Sequence, residues 1–464
     1  MKWLRNRLFL TAFFALPFCS TFSHVSCQQA QPNIVLIFAD DFGRELLSSY
    51  GGQSGYNTPF LDTLAKEGLQ FNTCYATPMC VPSRVELLTG RYSFRNYTAW
   101  EKIDRSQITY PQLLKTAGYR TAMAGKWHPH GQWDLDPVPP IHAGFDEYCS
   151  YDSVHMLEQA KAGEGNRFWG GTIIRNGKEE TLNRYGPEVY SDFLVDFIKR
   201  NQDGPFFAYY AMTNMHRPFQ PTPDHPDAPQ MGQAPPREWM GARGAPENFE
   251  PMLHYADKMV GKLIQTLDEL GLVDNTILIF TSDNGTDNHA EAKPIQSQFM
   301  GQRVSGGKYF PTELGVNVPL LVRWPGHVEP GSICEELVDL TDFFPTFCEL
   351  GRIPLPHNHK IDGRSLVPLF QGRDRMPKSH TFTWGNYENN SSKYKDPSHN
   401  TDKLLNVIRG PRYKLYSDGR LYDLQKDFLE ENPLGKGSSI DAEAARKSLE
   451  SSLIELRKTQ PRRW

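Results

Sequence analysis

Five apolar runs stand out along the chain, NIVLIFADD, YRTAMAGKWH, PFFAYYAMTNMH, NTILIFTSDNG and PLLVRWPG, and each ends abruptly in polar or turn residues. Unbroken apolar runs of this length predict strands buried on both faces of a largely parallel sheet, because a strand with one wet face would alternate. Helical patterns lie between them. TPFLDTLAKEG offers Thr58 as a cap, Pro59 in the first turn and Gly68 as a stop, and YPQLLKTAG and GPEVYSDFLVDFIKRN follow the same plan. FEPMLHYADKMVGKLIQTLDELG carries apolar residues at helical spacing. Such alternation of strand and helix predicts an α/β sandwich. Residues 220–248 are rich in Pro, Gly and polar types and read as a long loop, of the kind that lines sites. Beyond DGRSLVPLFQG the strands shorten and hairpin signals begin, as in RYKLYSDGRLYDL with its turn at SDGR, and AEAARKSLESSLIELRK closes the chain as a helix. We expect a large domain over residues 31–375 and a smaller antiparallel subdomain over 376–464.

Residues 1–30 do not fit this plan. Lys2, Arg5 and Arg7 form a basic head, Leu8 to Phe18 an apolar core, and small residues follow, which is the pattern of an export signal. Cys27 after Val25 and Ser26 is half of a lipoprotein acceptor pattern, so a surface lipoprotein stays open beside a periplasmic or extracellular location. No later apolar run is long enough to span a bilayer, so no transmembrane segment is expected. The formal charge of the 464 residues is only -4 with both signs interspersed, which argues against a nucleic-acid partner. Seven cysteines at sparse spacing suit neither a disulfide scaffold nor a zinc site. Pairing of Cys334 with Cys348 stays open.

Ligand sites of parallel sheets lie beyond the carboxyl ends of the strands. The first run ends in Asp40 and Asp41 and the fourth in Asp283 and Asn284, an all-oxygen donor set suited to Ca²⁺ or Mg²⁺. GKWH adds Lys126 and His128, MHRP adds His216, and SGGKYF adds Lys308. Singly, each has a bland reading as a surface cation or a satisfied polar residue. Two cations and two imidazoles around a divalent metal would bind a multiply oxygenated anion such as sulfate or phosphate. In TPMCVPSRVELLTGR, Pro82 and Gly90 bracket a short helix and place Cys80 at its N-terminus, where backbone N–H groups favour an anion. A thiolate there could act as a nucleophile, but it matches a hard cation poorly, and an oxygen nucleophile fits better.

With these residues in view, the chain resembles the formylglycine-dependent sulfatases of the arylsulfatase type, in the alkaline phosphatase superfamily. CVPSRVELLTGR matches that family's CxPSR and LTGR signature, and NIVLIFADD, GKWH, SDNG, GGK, VPLLVRWPG, LTDFFPT, DGRSL and the RYKLY and LYDL segments extend the likeness over nearly the whole chain. The resemblance implies an alkaline-phosphatase-like α/β/α sandwich around a large mixed, mostly parallel sheet, with a smaller C-terminal antiparallel sheet. It implies that Cys80 is oxidised to formylglycine by a formylglycine-generating enzyme. It further implies that Asp40, Asp41, Asp283 and Asn284, with residue 80, hold Ca²⁺ in preference to Mg²⁺. Arg84 and Lys126 would hold the formylglycine, Lys308 and His216 would bind sulfate and assist the leaving oxygen, and His128 would act on the formylglycine hydroxyl. The implied reaction is covalent: one hydroxyl of the hydrated aldehyde attacks sulfur, and loss of the other hydroxyl's proton lets sulfate leave. Two departures fall on the pocket rim: PHG after GKWH, with His130 as an extra polar group, and YFPTELG after GGK. The expected substrate is a sulfated carbohydrate. Rival readings are a phosphodiesterase or phosphonate monoester hydrolase of the same superfamily, and a non-catalytic protein that binds sulfated glycans.

Overall fold

The strand Asn33–Ala39 is buried along its whole length and pairs in parallel on both sides, with Thr276–Ser282 and with Phe206–Ala211. This is the reason for its unbroken apolar run: Val35, Ile37 and Ala39 enter one core, Ile34, Leu36 and Phe38 the other. The computed structural model describes residues 31–52, 55–99, 102–128, 139–151, 156–230, 233–384 and 406–459. The expected export signal and His130 lie outside them.

An 11-stranded mixed sheet organises the described residues. Its centre is four adjacent parallel strands, in the order Thr276–Ser282, Asn33–Ala39, Phe206–Ala211 and Arg120–Gly125, and Glu147–Tyr151 continues in parallel. The fifth apolar run, now Asn317–Arg323, is antiparallel to Thr276–Ser282 and joins it to Leu69–Tyr75. Helices cover both faces. Pro59–Glu67, Gly186–Arg200 and Phe249–Glu269 contribute Leu61, Leu64, Val189, Leu194, Leu253 and Val260 to one core. On the opposite face Cys80–Thr89, Tyr110–Thr116 and Phe343–Leu350 contribute Val81, Val85, Tyr110, Leu114, Phe344 and Phe347. Each fully buried aliphatic or aromatic side chain of this kind stabilises the fold by about 1.5–3 kcal/mol.

The C-terminal residues form a four-stranded antiparallel sheet, Thr381–Trp384, Asn406–Arg409, Tyr413–Tyr416 and Leu421–Asp423, packed by the helix Ile440–Lys458. The predicted SDGR turn joins its last two strands. Cys334 and Cys348 are both free thiols, which closes the question of their pairing. Residues 220–248 contain two short 3-10 turns, Arg237–Met240 and Pro246–Asn248, and Trp239 is buried among Trp169 and His225. The loop is therefore anchored to the body of the protein. No described helix is long and apolar enough to cross a membrane.

Candidate active site

The four central strands deliver their polar ends to one place. Ala39 pairs with Ser282, so Asp40 and Asp41 emerge beside Asp283 and Asn284, and the Asp283 N–H donates to the Ala39 carbonyl at 3.2 Å. Asp41 has φ 59°, a left-handed conformation that aspartate tolerates better than most residues, and its N–H donates to Asp283 Oδ1 at 3.1 Å. Lys126 follows Gly125, whose φ of 104° and close approach to the Ala211 backbone leave no room for a Cβ. The glycine of GKWH is thus a packing requirement. Gly90, at φ 66°, caps the helix Cys80–Thr89 as expected.

Cys80 opens that helix and is 3% exposed. Its Sγ lies 3.4 Å from His128 Nδ1 and forms a tight group with carboxylate oxygens of Asp40 and Asp283. One turn later Arg84 donates to Asp283 Oδ2 at 2.7 Å. Lys126 Nζ donates to both oxygens of Asp40 at 2.7 Å, and Lys308 Nζ donates to Asp41 Oδ2 at 2.6 Å. Each of the three carboxylates therefore has one cation at hydrogen-bond distance, and all six groups are buried. Burying charge at this density is costly without such pairing.

The compensation is uneven. Burial by itself raises the Asp40 carboxyl, but Lys126, Arg84 and Lys308 together outweigh it and hold Asp40 well below the usual carboxylate range. At Asp41 burial wins over Lys308, helped by the like charges of Asp40 and Asp287, and the carboxyl is raised. Burial also wins at Asp283, against Arg84. Two of the three acids thus remain under-compensated, a condition that a divalent cation relieves. Asn284 adds a second sign. Its Nδ2 donates to Asp41 Oδ1 at 2.8 Å, while its Oδ1 is buried with no hydrogen-bond partner. An orphaned amide oxygen beside three carboxylates is the donor set of a hard cation. The residues present fit the expected metal.

His216 lies across the cluster, with Nε2 3.9 Å from Asp41 Oδ2. Its Nδ1 stands 2.6 Å from the Arg217 carbonyl oxygen, an acceptor only, so Nδ1 carries the proton and Nε2 is the free nitrogen. Burial, then the charges of Lys308, Arg167 and Lys126, push its pKa well below the usual imidazole value. All ten site residues expected from the sequence meet here. One further residue of the cluster was missed: Arg167, whose Nη1 is 3.7 Å from Asp40 Oδ2. Its only sequence signal is the glycine-rich setting EGNRFWGG, which marks a tight loop but not what the loop faces.

Comparison with known proteins shows the family. A family model described as Sulfatase matches residues 32–353, and one described as N-sulphoglucosamine sulphohydrolase, C-terminal, matches residues 307–459. The chain is 32% identical over 403 residues to N-acetylgalactosamine-6-sulfatase of Homo sapiens, covering 76% of this chain and 72% of that protein. It is 32% identical over 386 residues to Arylsulfatase A of Homo sapiens, covering 77% and 71%. The solved structure of BT4656 in complex with its substrate D-Glucosamine-2-N, 6-O-disulfate is similar at a TM-score of 0.71 and 23% identity, covering 92% of this chain and 98% of that one.

Proposed function

The chain belongs to the sulfatase family, and on that premise we propose that Cys80, once oxidised to formylglycine, is the nucleophile that removes sulfate from a sulfated carbohydrate. Membership makes the protein an enzyme, a hydrolase of sulfate esters built on the alkaline-phosphatase-like fold. The observation that carries the finer reading is the position of Cys80: at a helix N-terminus, 3.4 Å from His128 Nδ1, within the carboxylate cluster of Asp40 and Asp283.

Asp40, Asp41, Asp283 and Asn284, with the side chain of residue 80, would hold a divalent cation, Ca²⁺ in preference to Mg²⁺ for so oxygen-rich a set. When bound, the ion supplies positive charge that favours an ionised oxygen nucleophile and shields the carboxylates from the incoming sulfate. Formylglycine supplies a hydrated aldehyde, with one hydroxyl to attack sulfur and another whose proton can be removed to release sulfate.

The chain's own groups do the rest. Lys126 and Arg84 orient residue 80 and its carboxylate neighbours. Lys308 binds the sulfuryl oxygens. His128 Nδ1 faces residue 80 and is placed to take a proton from it. His216 presents Nε2 to the leaving oxygen. Its pKa is depressed by burial and by the cations around it, and a bound sulfate offsets those cations, so Nε2 acquires its proton when substrate is present. The family relative named N-acetylgalactosamine-6-sulfatase supports a sugar substrate.

We read residues 31–375 as the catalytic domain and 376–464 as a subdomain packed on it, in an exported protein matured by a formylglycine-generating enzyme. The test is a screen of sulfate release from defined sulfated mono- and oligosaccharides, using protein co-expressed with that enzyme and mass analysis of the peptide spanning residue 80. Converted protein that released sulfate from no sugar and from no aryl sulfate would defeat the proposal.

A further inference from the structure

Arg167 is 7% exposed, yet its Nε and Nη1 have no hydrogen-bond partner among the described residues. The pairing of the cluster makes this notable. Asp40, Asp41 and Asp283 already have Lys126, Lys308 and Arg84 at hydrogen-bond distance, whereas Arg167 stands 3.7 Å from Asp40 Oδ2, beyond that reach. It is a surplus cation, buried, with two donors unbonded, and a guanidinium in this state is costly unless a ligand completes it.

The protein holds it there firmly. Asn166 receives the Phe168 and Trp169 N–H groups on Oδ1 at 2.9 and 3.0 Å, and donates from Nδ2 to the Trp239 and Gly241 carbonyls at 2.8 and 2.9 Å. Trp169 Nε1 donates to the Pro221 carbonyl at 2.8 Å, so the Arg167 loop is laced to the 220–248 loop. Below the guanidinium lies the Tyr151 ring, 5.2 Å from Cζ to its centroid. A guanidinium held over a ring by an anchored loop, with two donors unbonded, is preorganised for a ligand.

Its place in the pocket narrows the choice. Asp40 bridges two groups, one with Cys80 and Asp283 where an attacking oxygen belongs, the other with Asp41 and His216; its Oδ1 lies 3.7 Å from Arg84 and its Oδ2 3.7 Å from Arg167. Arg167 keeps company with Asp40 Oδ2 and the Tyr151 ring, and Asp40 also belongs to the group that Asp41 and His216 complete. In an in-line displacement the leaving oxygen, and the sugar that carries it, lie opposite the nucleophile, on the His216 side. We propose that Arg167 is a specificity residue that binds a second oxyanion, a carboxylate or a further sulfate, on the sugar whose sulfate is removed. This rests on the carbohydrate sulfatase reading above. A buried guanidinium with unbonded Nε and Nη1 donors offers an oxyanion charge-assisted hydrogen bonds in addition to its charge.

The test is binding to Cys80→Ala protein, which does not consume the ligand. Calorimetric titrations compare monosaccharides bearing one sulfate with the same sugars bearing an added sulfate or carboxylate. Doubly charged sugars should bind at least about tenfold tighter, and in Cys80→Ala/Arg167→Ala that ratio should fall below about twofold. Cys80→Ala/Arg167→Lys keeps the charge but loses the fork, so its ratio should fall in between, and it serves where the alanine variant misfolds. A ratio near one in Cys80→Ala protein overturns the proposal, and so does a ratio that survives loss of Arg167, as it would if Arg167 held the reacting sulfate or merely packed. Wild-type release of sulfate from 4-nitrophenyl sulfate with a flat ratio overturns this inference alone. No sulfate release from any substrate overturns the parent reading with it.

Discussion

Two of the buried ionic clusters among the described residues are finished to different degrees. The first, at the strand ends, contains Asp40, Asp41, Asp283, Arg84, Lys126 and Lys308, with Asn284 Oδ1 and two donors of Arg167 left unpartnered. The second joins the large sheet to the C-terminal sheet. There Lys414 donates to Glu313 Oε1 at 3.0 Å and Glu430 Oε1 at 2.8 Å, Glu313 Oε2 receives Tyr75 Oη at 2.7 Å and Asn317 Nδ2 at 3.0 Å, and Tyr416 donates to Glu430 Oε2. Every carboxylate oxygen of Glu313 and Glu430 has a donor from the chain itself. Among these residues the orphan is the neutral Asn317 Oδ1, so the charges are closed on themselves and hold structure together, whereas charged donors left open wait for a ligand.

Substitution at the open cluster should cost function and spare the fold, and the reverse should hold at the closed one. Cys80→Ala should lower sulfate release by at least about 10⁴-fold, as for other covalent nucleophiles, while its unfolding midpoint moves by less than about 4 °C. Steady-state rates and a thermal melt on the same preparation check both. Lys414→Met should do the opposite. Removing one partner of a buried pair costs about 3–5 kcal/mol, visible in a urea titration, with turnover of the remaining folded protein intact. If Cys80→Ala melted early, or Lys414→Met stayed stable but lost turnover, the comparison would break.

Glu86 sharpens it. This acid sits two residues after Arg84 on the same helix, buried, with its Oε1 accepting from the Ser93 N–H and hydroxyl at 2.8 and 2.5 Å. Burial pushes its carboxyl up to about 8 from 4.5, with the Ser93 hydrogen bonds only partly opposing. Because the folded value is raised, the folded state is favoured below the unfolded value, and that contribution is lost as pH rises from 4.5 through about 8. Glu86→Gln should therefore match the wild type near pH 4.5 and exceed it by a few kcal/mol at pH 9. Chemical denaturation at the two pH values reads this directly. The smallest effect belongs to the orphaned amide. Asn284→Ala should weaken Ca²⁺ affinity by about 10–100-fold, measured as a rightward shift in the Ca²⁺ dependence of the melting temperature.

Much of this was legible in the chain. The central strands and the helices at Pro59, Cys80, Tyr110, Gly186 and Phe249 follow from apolar runs, prolines in first turns and glycine stops, because local sterics and periodicity dictate them. Other parts were not. The strand Leu69–Tyr75 carries Gln70, Asn72 and Thr73 within it and lacks the run that marked its neighbours, since its polar residues find partners such as Ser49 and Glu335 far along the chain. Nothing local distinguished the antiparallel Asn317–Arg323 from the parallel strands beside it. The Glu313, Lys414 and Glu430 network joins residues 101 and 16 positions apart, and each looks like an ordinary surface charge in sequence.

The same division runs through the active site. Sequence alone determined which residues gather at this site, because most follow a strand or open a helix whose local signals are strong, and the ends of parallel strands must meet at one edge. Only the tertiary structure decided how completely those charges are paired. Pairing depends on which strands are neighbours and on the register that sets Asp40 beside Asp283, and these are settled by long-range packing of two cores. Cys80 was visible as an unusual cysteine from its flanking residues. That His128 faces it at 3.4 Å, and that two donors of Arg167 stand nearby without a hydrogen bond, follows only from folding the chain.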